Sequence, residues 1–198
     1  MKRLILASSS KYRAQQLDRL GLTFETCAHR CDEKLLKREG LNFDDLAIKL
    51  SILKAQSLAA DYADALILGS DQVAELNGKL MGKPGTKEKA LNQLLEMRGK
   101  SHRLLTGVAL VEGQTGKVLE KALDIHTMKM REDLTREELA WYIEEDLPLD
   151  CAGSYKIESK GIGLFYSVSG KDFTAIMGLP IISVVTMLRR VGIKMMTG

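Results

Sequence analysis

Short apolar runs alternate with amphipathic stretches along the chain. The run at 3–7 predicts a buried strand, and the stretch at 11–20, with Leu17 and Leu20 on one face, predicts a helix after it. A second strand is predicted over 24–28. The same patterns predict further helices over 43–60, 86–97, 136–145 and 180–192, and strands over 65–68, 73–76, 79–81, 101–112, 117–131, 151–156 and 163–169.

Local signals at the ends of these elements support the assignment. Asn77-Gly78 between two short strands is typical of a type I′ hairpin. Thr135 and Glu138 match a capping box at the start of a helix, and Thr86 is a candidate cap for another. Strand–helix units thus mix with hairpins. The 198 residues predict an α/β or α+β fold with a mixed sheet, as a single domain or two closely fused lobes.

Composition narrows the class of protein. The chain is 45% hydrophobic and 28% charged, which is ordinary for a globular protein, and no apolar run approaches the length of a membrane span. The apolar stretch at the N-terminus is too short for a signal peptide, so we interpret the protein as cytoplasmic. A net charge of +3 and few aromatic residues argue against nucleic-acid binding.

The three cysteines, Cys27, Cys31 and Cys151, do not suggest a disulfide framework, because their number is odd. Cys27, His29 and Cys31 form a C-x-H-x-C string, which raises the question of a metal site. Structural zinc normally needs four ligands, and no second cluster follows. In a strand, His29 would point away from both cysteines. Packing is the preferred interpretation.

A first candidate for chemistry is the triplet Ser8-Ser9-Ser10 with Arg13. A strand that enters a helix through small hydroxyl residues presents free backbone N–H groups, and the helix dipole attracts anions. Arg13, one turn into the helix, can donate two parallel hydrogen bonds to a phosphate. The alternative is ordinary helix capping with a solvated arginine.

Gly69-Ser70-Asp71-Gln72 is a second candidate, because a carboxylate at the carboxyl end of an apolar strand is a common active-site position. Its glycine permits a tight bend and the close approach of a ligand. The alternative is a turn aspartate before the hairpin. Lys83, held between glycine and proline, is a usable phosphate ligand or a solvated loop lysine. Asp32 and Glu33 are candidate Mg²⁺ or Mn²⁺ ligands or solvated loop acids. Lys54 is placed on the polar side of its helix.

Together these residues supply several cations and a helix N-terminus for phosphates, with acids for a metal and a water. That set favours hydrolysis of a phosphoanhydride. Neither a P-loop nor a G-x-S-x-G elbow is present in the sequence. Two C-terminal loops each carry a lysine and an acid, which are either site residues or surface charges of turns: Lys156, Glu158, Lys171 and Asp172.

The ordered motifs resemble those of the Maf family of nucleotide pyrophosphatases, from residue 3 to about 190. The resemblance implies an elongated α/β fold with a deep central cleft, related to inosine triphosphate pyrophosphatases. It also implies a divalent metal, release of pyrophosphate and a homodimer. The motifs are Leu4-Ile5-Leu6-Ala7-Ser8-Ser9-Ser10-x-x-Arg13, Asp32-Glu33, Lys54-Ala55, Gly69-Ser70-Asp71-Gln72-Val73, Gly82-Lys83-Pro84, Thr106-Gly107-Val108, Cys151-Ala152-Gly153-Ser154 and Gly178-Leu179-Pro180.

By position, the resemblance gives each site residue an expected role. Asp71 is expected to accept the proton of the attacking water and, with Glu33, to bind Mg²⁺ or Mn²⁺. The expected phosphate contacts are Ser8, Arg13, Lys54 and Lys83.

Three further positions separate branches of the family. Tyr12, Gln72 and Glu158 follow the pattern of the branch called YceF-like, which is associated with 7-methyl-GTP. An aromatic face and a carboxylate both suit a cationic methylated guanine. The alternatives are a pyrophosphatase for dTTP and UTP, and a nucleotide-binding regulator of cell division without turnover. Lys11 and Cys31 depart from the residues usual in the family.

Overall fold

The computed structural model describes residues 3–33 and 40–194. Its strands are β1 (Arg3–Leu6), β2 (Glu25–Thr26), β3 (Ala65–Leu76), β4 (Lys79–Met81), β5 (Ser101–Glu112), β6 (Val118–Met130) and β7 (Phe165–Ser169). The helices are α1 (Lys11–Asp18), α2 (Phe43–Gln56), α3 (Lys87–Met97), α4 (Arg136–Asp146) and α5 (Ile181–Arg190). Short 3₁₀ helices span Ala59–Asp61, Lys160–Leu164 and Phe173–Met177.

The strands form a mixed sheet, as the sequence predicts. Their order is β2-β1-β3-β5-β6-β7, and β4 pairs with β3. β1 is parallel to both β2 and β3, whereas β3–β4 and β6–β7 are antiparallel. Among the described residues, no helix is long and apolar enough to cross a membrane.

The predicted turn and cap signals are confirmed. Asn77 and Gly78 have φ values of 52° and 77°, the left-handed pair that a type I′ turn requires. Thr135 accepts a hydrogen bond from the N–H of Glu138, whose side chain accepts from the N–H of Thr135. Thr86 likewise caps α3 by accepting from the N–H of Lys89.

Two strand predictions are wrong. The first ends a strand at 68 and begins another at 73, but β3 runs unbroken through Gly69. The second expects a strand over 151–156, where Gly153 and Ser154 have φ values of 80° and 63° and form a turn. Left-handed residues cannot continue an extended strand. The strand predicted over 24–28 is shorter. The sequence also indicates a charged loop over 32–40, most of which lies outside the described residues.

The chain divides into two compact units. The first contains 1–71, 106–124 and 172–198, and the second contains 72–105 and 125–171. In the first unit, apolar side chains of β1, β3, α1 and α5 form one buried cluster, and those of β1, β3 and the end of α2 form another. In the second unit, α3 contacts α4, and His102, Tyr155 and Phe165 form an aromatic cluster.

Candidate active site

The end of β1 and the middle of β3 bring the first candidate residues together in the first unit. The two strands are parallel, with Leu6 paired to Leu68, so Ser8 and Asp71 both lie a few residues beyond this pair in the same direction. Ser8 is 3% exposed and Asp71 is 6% exposed. Two polar side chains are therefore largely shielded from water beside the start of α1.

The turn from β1 into α1 is an ordered cap with an arginine bound to it. The Ser10 side chain accepts from the N–H of Arg13 (3.4 Å), and Ser8 Oγ accepts from the N–H of Ser10 (3.1 Å). Arg13 Nη1 also donates to Ser8 Oγ (3.3 Å). The capping interpretation is therefore confirmed for the serines, whereas Arg13 lies against the cap instead of in open solvent.

Arg13 has a second anchor at the loop before α5. Its Nε donates to the carbonyl oxygen of Gly178 at 2.8 Å. Burial lowers the pKa of Arg13 from its ordinary value, while the negative charges of Asp71 and Glu33 raise it. An arginine keeps its proton at such a site, so the guanidinium places a fixed positive charge near two carboxylates.

Lys54 joins the two acids of the site. Its Nζ lies 2.5 Å from Oδ1 of Asp71 and 2.9 Å from Oε1 of Glu33. The prediction that Lys54 falls on the polar side of its helix is wrong, because the residue is 4% exposed. Its position in the last turn of α2 faces β3, and the two carboxylates supply the counter-charge that a buried ammonium needs.

Glycines in the sheet allow α2 to come this close. A Cβ added at Gly69 would lie 2.1 Å from the carbonyl oxygen of Ser51, and one at Gly107 would lie 2.3 Å from that of Ala47. Real Cβ atoms do not approach a carbonyl so closely. Gly69 therefore does not bend the strand, as the sequence suggests, but lets the backbone of α2 pack directly on it.

The interaction between Lys54 and Glu33 extends to His29. His29 Nε2 lies 3.5 Å from Glu33 Oε1, and its Nδ1 lies 3.3 Å from Cys31 Sγ. The expectation that His29 points away from both cysteines is wrong for Cys31, because residues 27–32 are not a strand. Burial lowers the pKa of His29, and Lys54 lowers it further. A neutral ring can donate to Glu33 and accept from Cys31.

The acids of this site have the chemistry of divalent-metal ligands. Asp71 and Glu33 offer carboxylate oxygens, whereas Asp32 is exposed. Within residues 3–33 and 40–194, no group of three or more His, Cys, Asp or Glu side chains is arranged to hold a metal. Mg²⁺ commonly uses one or two carboxylates, substrate phosphates and water, so this donor set is sufficient without a closed protein cage.

The remaining candidates are divided between the two units. Tyr12, in the first unit, is 39% exposed. In the second unit, Lys83 and Glu158 are exposed and Gln72 is half-buried. Asp172 has a structural role, because its carboxylate accepts from the N–H groups of Thr174 and Ile182 at the start of α5.

The sequence does not single out the roles of Ser70 and Gly178. Ser70 is fully buried, and its hydroxyl contacts the same Gly178 carbonyl that binds Arg13. The sequence does show a serine beside a candidate acid and a glycine before Leu179-Pro180. Their contact, however, joins residues 108 positions apart. Such a long-range contact is not encoded in local spacing.

Comparison with known proteins shows which family the chain belongs to. A model of the Maf family, described as "Maf-like protein", matches residues 3–191. The chain is 43% identical to a 7-methyl-GTP pyrophosphatase of Pseudomonas aeruginosa, over 98% of this chain and 99% of that one. It is 44% identical to a protein of the same name from Aromatoleum aromaticum, over 96% of each chain. The solved structure of a HAM1 protein from Coxiella burnetii is 14% identical, with a TM-score of 0.48 over 81% of this chain and 90% of that one. The chain belongs to the Maf family.

Proposed function

We propose that this protein hydrolyses a nucleoside triphosphate between its α- and β-phosphates, with 7-methyl-GTP as preferred substrate and 7-methyl-GMP and pyrophosphate as products. The observation that carries the proposal is the buried pair of Asp71 and Lys54, in the same unit as the helix N-terminus that holds Ser8 and Arg13. The names of the full-length relatives at 43% and 44% identity support the reaction and the substrate.

The phosphates bind to the cations of the site. Ser8 and Arg13 stand at the N-terminus of α1, where backbone N–H groups and the helix dipole attract anions. Lys54 adds a buried positive charge, and the family resemblance gives Lys83 the role of a further phosphate contact. Cations held in a water-poor site stabilise the charge that develops on phosphate oxygens during bond cleavage.

Asp71 is the base. Its Oδ1 accepts from Lys54, which leaves Oδ2 for the attacking water. The carboxylate takes one proton from water as the oxygen bonds to the α-phosphorus in line with the departing pyrophosphate. The bond between that phosphorus and its bridging oxygen breaks, and the electron pair leaves with pyrophosphate. Glu33 and Asp71 would hold Mg²⁺ or Mn²⁺, which neutralises phosphate charge when bound.

The base of the nucleotide is recognised by groups that favour a positive charge. N7-methylguanine is cationic, so the exposed ring of Tyr12 can bind it through its π face. The family resemblance assigns Glu158 and Gln72 to the same recognition, in which a carboxylate supplies an opposite charge and an amide suits a polar edge. An arginine at position 12 would repel the same base.

A substrate comparison tests the proposal. The purified protein with Mg²⁺ or Mn²⁺ is given 7-methyl-GTP, GTP, dTTP and UTP in parallel, and phosphate and pyrophosphate are measured separately. We expect pyrophosphate, with the highest kcat/KM for 7-methyl-GTP. Release of single phosphates would overturn the assignment of the bond between the α- and β-phosphates as the one that is cleaved. Preference for dTTP or UTP would overturn the assignment of 7-methylguanine as the recognised nucleobase. No turnover with any substrate would favour a non-catalytic nucleotide-binding regulator.

A further inference from the structure

We propose that Ser70 is a positioning residue that sets the guanidinium of Arg13 through the carbonyl of Gly178, and thereby determines how tightly the protein binds pyrophosphate. The assignment of Arg13 to the phosphates rests on the proposed function. Ser70 itself lies too deep to touch a ligand, because it is fully buried.

The hydroxyl of Ser70 joins two separate segments of the first unit. Its Oγ lies 2.8 Å from the carbonyl oxygen of Gly107 in β5 and 2.8 Å from that of Gly178. A hydroxyl has one hydrogen, so the two carbonyls share one donor. Because Ser70 is part of β3, this contact fixes the loop before α5 directly to the centre of the sheet.

Gly178 connects Ser70 to Arg13. Its carbonyl oxygen accepts from Arg13 Nε at 2.8 Å, so one oxygen binds both side chains. Its φ of +95° is in the left-handed region, and an added Cβ would lie 3.1 Å from Arg13 Nε. The left-handed backbone favours a glycine at this position, and a side chain there would press on the guanidinium of Arg13.

The segment that carries Gly178 is also held at its other positions. The hydroxyl of Thr106, in β5, donates to the carbonyl of Ala175 at 2.9 Å. Asp172 accepts from the N–H of Thr174 at 3.0 Å. The carbonyl of Gly178 is therefore an acceptor held in place by its segment. Within the sheet, the hydroxyl of Ser70 binds it.

The guanidinium of Arg13 is thereby held in place before an anion binds. Nε is bound to Gly178 and Nη1 to Ser8, while Nη2 makes no hydrogen bond to any residue that the structure describes. An unrestrained arginine loses side-chain freedom when it binds a ligand. Since Ser8 and Gly178 already hold the guanidinium, that loss is smaller on binding, and affinity rises.

A double-mutant cycle separates positioning from a merely structural role. Pyrophosphate binding is measured by calorimetry for the wild type, Ser70→Ala, Arg13→Met and the double variant. We expect Ser70→Ala to weaken pyrophosphate binding about tenfold, the scale of one hydrogen bond. In the Arg13→Met background the same change should cost less than about twofold, because residues that act as a unit are not additive. An equal loss in both backgrounds would overturn the proposal.

Ser51→Ala is the matched control. Ser51 is also fully buried, but its hydroxyl donates to the carbonyl of Ile48 within α2. We expect unchanged pyrophosphate affinity in both backgrounds. If Ser70→Ala does not fold, Ser70→Cys keeps a small side chain with a weak donor and should show a smaller loss that again depends on Arg13. Unaltered binding by a folded Ser70→Cys and Ser70→Ala would likewise contradict the proposal.

Kinetics add an independent readout. Ser70→Ala should raise KM for 7-methyl-GTP about tenfold and leave kcat within about threefold, because Asp71 and its contact with Lys54 remain. A fall in kcat with unchanged KM would argue against the role. Pyrophosphate binding does not require turnover, so a failure of the proposed reaction is recognised separately from a failure of this inference.

Discussion

The ammonium of Lys54 lies 2.5 Å from Oδ1 of Asp71, and the two side chains are 5% and 8% exposed. A buried charge is costly unless an opposite charge accompanies it, so each residue makes the other tolerable. The close packing of α2 on Gly69 brings them together. The position of the proposed base thus depends on helix packing as well as on its own strand.

Replacement of Lys54 by methionine removes one partner and leaves Asp71 buried without its cation. We expect a loss of about 3–5 kcal/mol in the free energy of unfolding, measured with urea, and a turnover reduced at least about 100-fold. Lys87→Met is the control, because Lys87 pairs with Glu144 at the surface, with 49% and 60% of the side chains exposed. It should change stability by less than about 1 kcal/mol. Similar effects of both substitutions would contradict the importance of burial.

Gly69→Ala introduces a methyl group where the carbonyl of Ser51 stands at 2.1 Å. The backbone of α2 or β3 must move, so we expect a destabilisation of about 3 kcal/mol, at the upper end of overpacking effects. Gly163→Ala is the matched change, because no atom lies within 4 Å of its added Cβ. Thermal unfolding of both variants measures the difference, and a Gly69→Ala protein as stable as Gly163→Ala would disprove the close contact.

His102 makes stability depend on pH. Burial lowers its pKa from 6.5 to about 4, and its Nε2 lies 2.9 Å from the hydroxyl of Tyr155. Above pH 6.5 the ring is neutral in the folded and in the unfolded protein, so the titration of His102 takes nothing from the free energy of unfolding. As the pH falls from 6.5 towards 4, the unfolded chain takes up the proton first, and about 3 kcal/mol of stability is lost.

His102→Gln removes this titration and should flatten the decline. The free energy of unfolding is measured with urea at pH 7 and pH 4.5. The decrease between the two pH values in the wild type is compared with the decrease in the variant. The variant is expected to be less stable at pH 7, because the aromatic contacts with Tyr155 and Phe165 are gone. An equally steep decline in both proteins would place the pH dependence elsewhere.

The sequence predicts elements better than it predicts contacts. Caps and turns such as Thr135–Glu138 and Asn77-Gly78 depend on neighbouring residues, so their chemistry is readable along the chain. Gly69 shows the limit, because a glycine after an apolar strand suggests a bend, whereas helix packing is the actual reason for it. Local spacing carries no information about which helix lies above a strand.

The same limit applies to the site. Sequence motifs point to Ser8, Arg13, Lys54 and Asp71, and the structure places them in one unit. The burial of Lys54 and the shared carbonyl of Gly178 were not predicted, because both follow from tertiary packing. The resemblance of the whole ordered set of motifs to the Maf family supplies what single motifs lack, namely the expected reaction and the expected nucleobase.

Tyr12→Arg tests recognition of the base. A positive side chain should repel cationic 7-methylguanine, so we expect kcat/KM for 7-methyl-GTP to fall at least about tenfold, and that for UTP to fall less. Tyr166→Arg is the control, because Tyr166 is 76% exposed on β7 and has no proposed role. The comparison uses the same substrate set for each variant. An equal loss for both substrates in Tyr12→Arg would contradict a role in selectivity.

The most direct measurement is single-turnover hydrolysis of 7-methyl-GTP by Asp71→Asn, alongside binding of the same nucleotide. Asparagine keeps the shape of the side chain but cannot take the proton of water. If Asp71 is the base, turnover should fall about 10²–10⁴-fold, while the nucleotide still binds with an affinity within about tenfold of the wild type. Near-normal turnover in a folded Asp71→Asn protein would contradict the assignment.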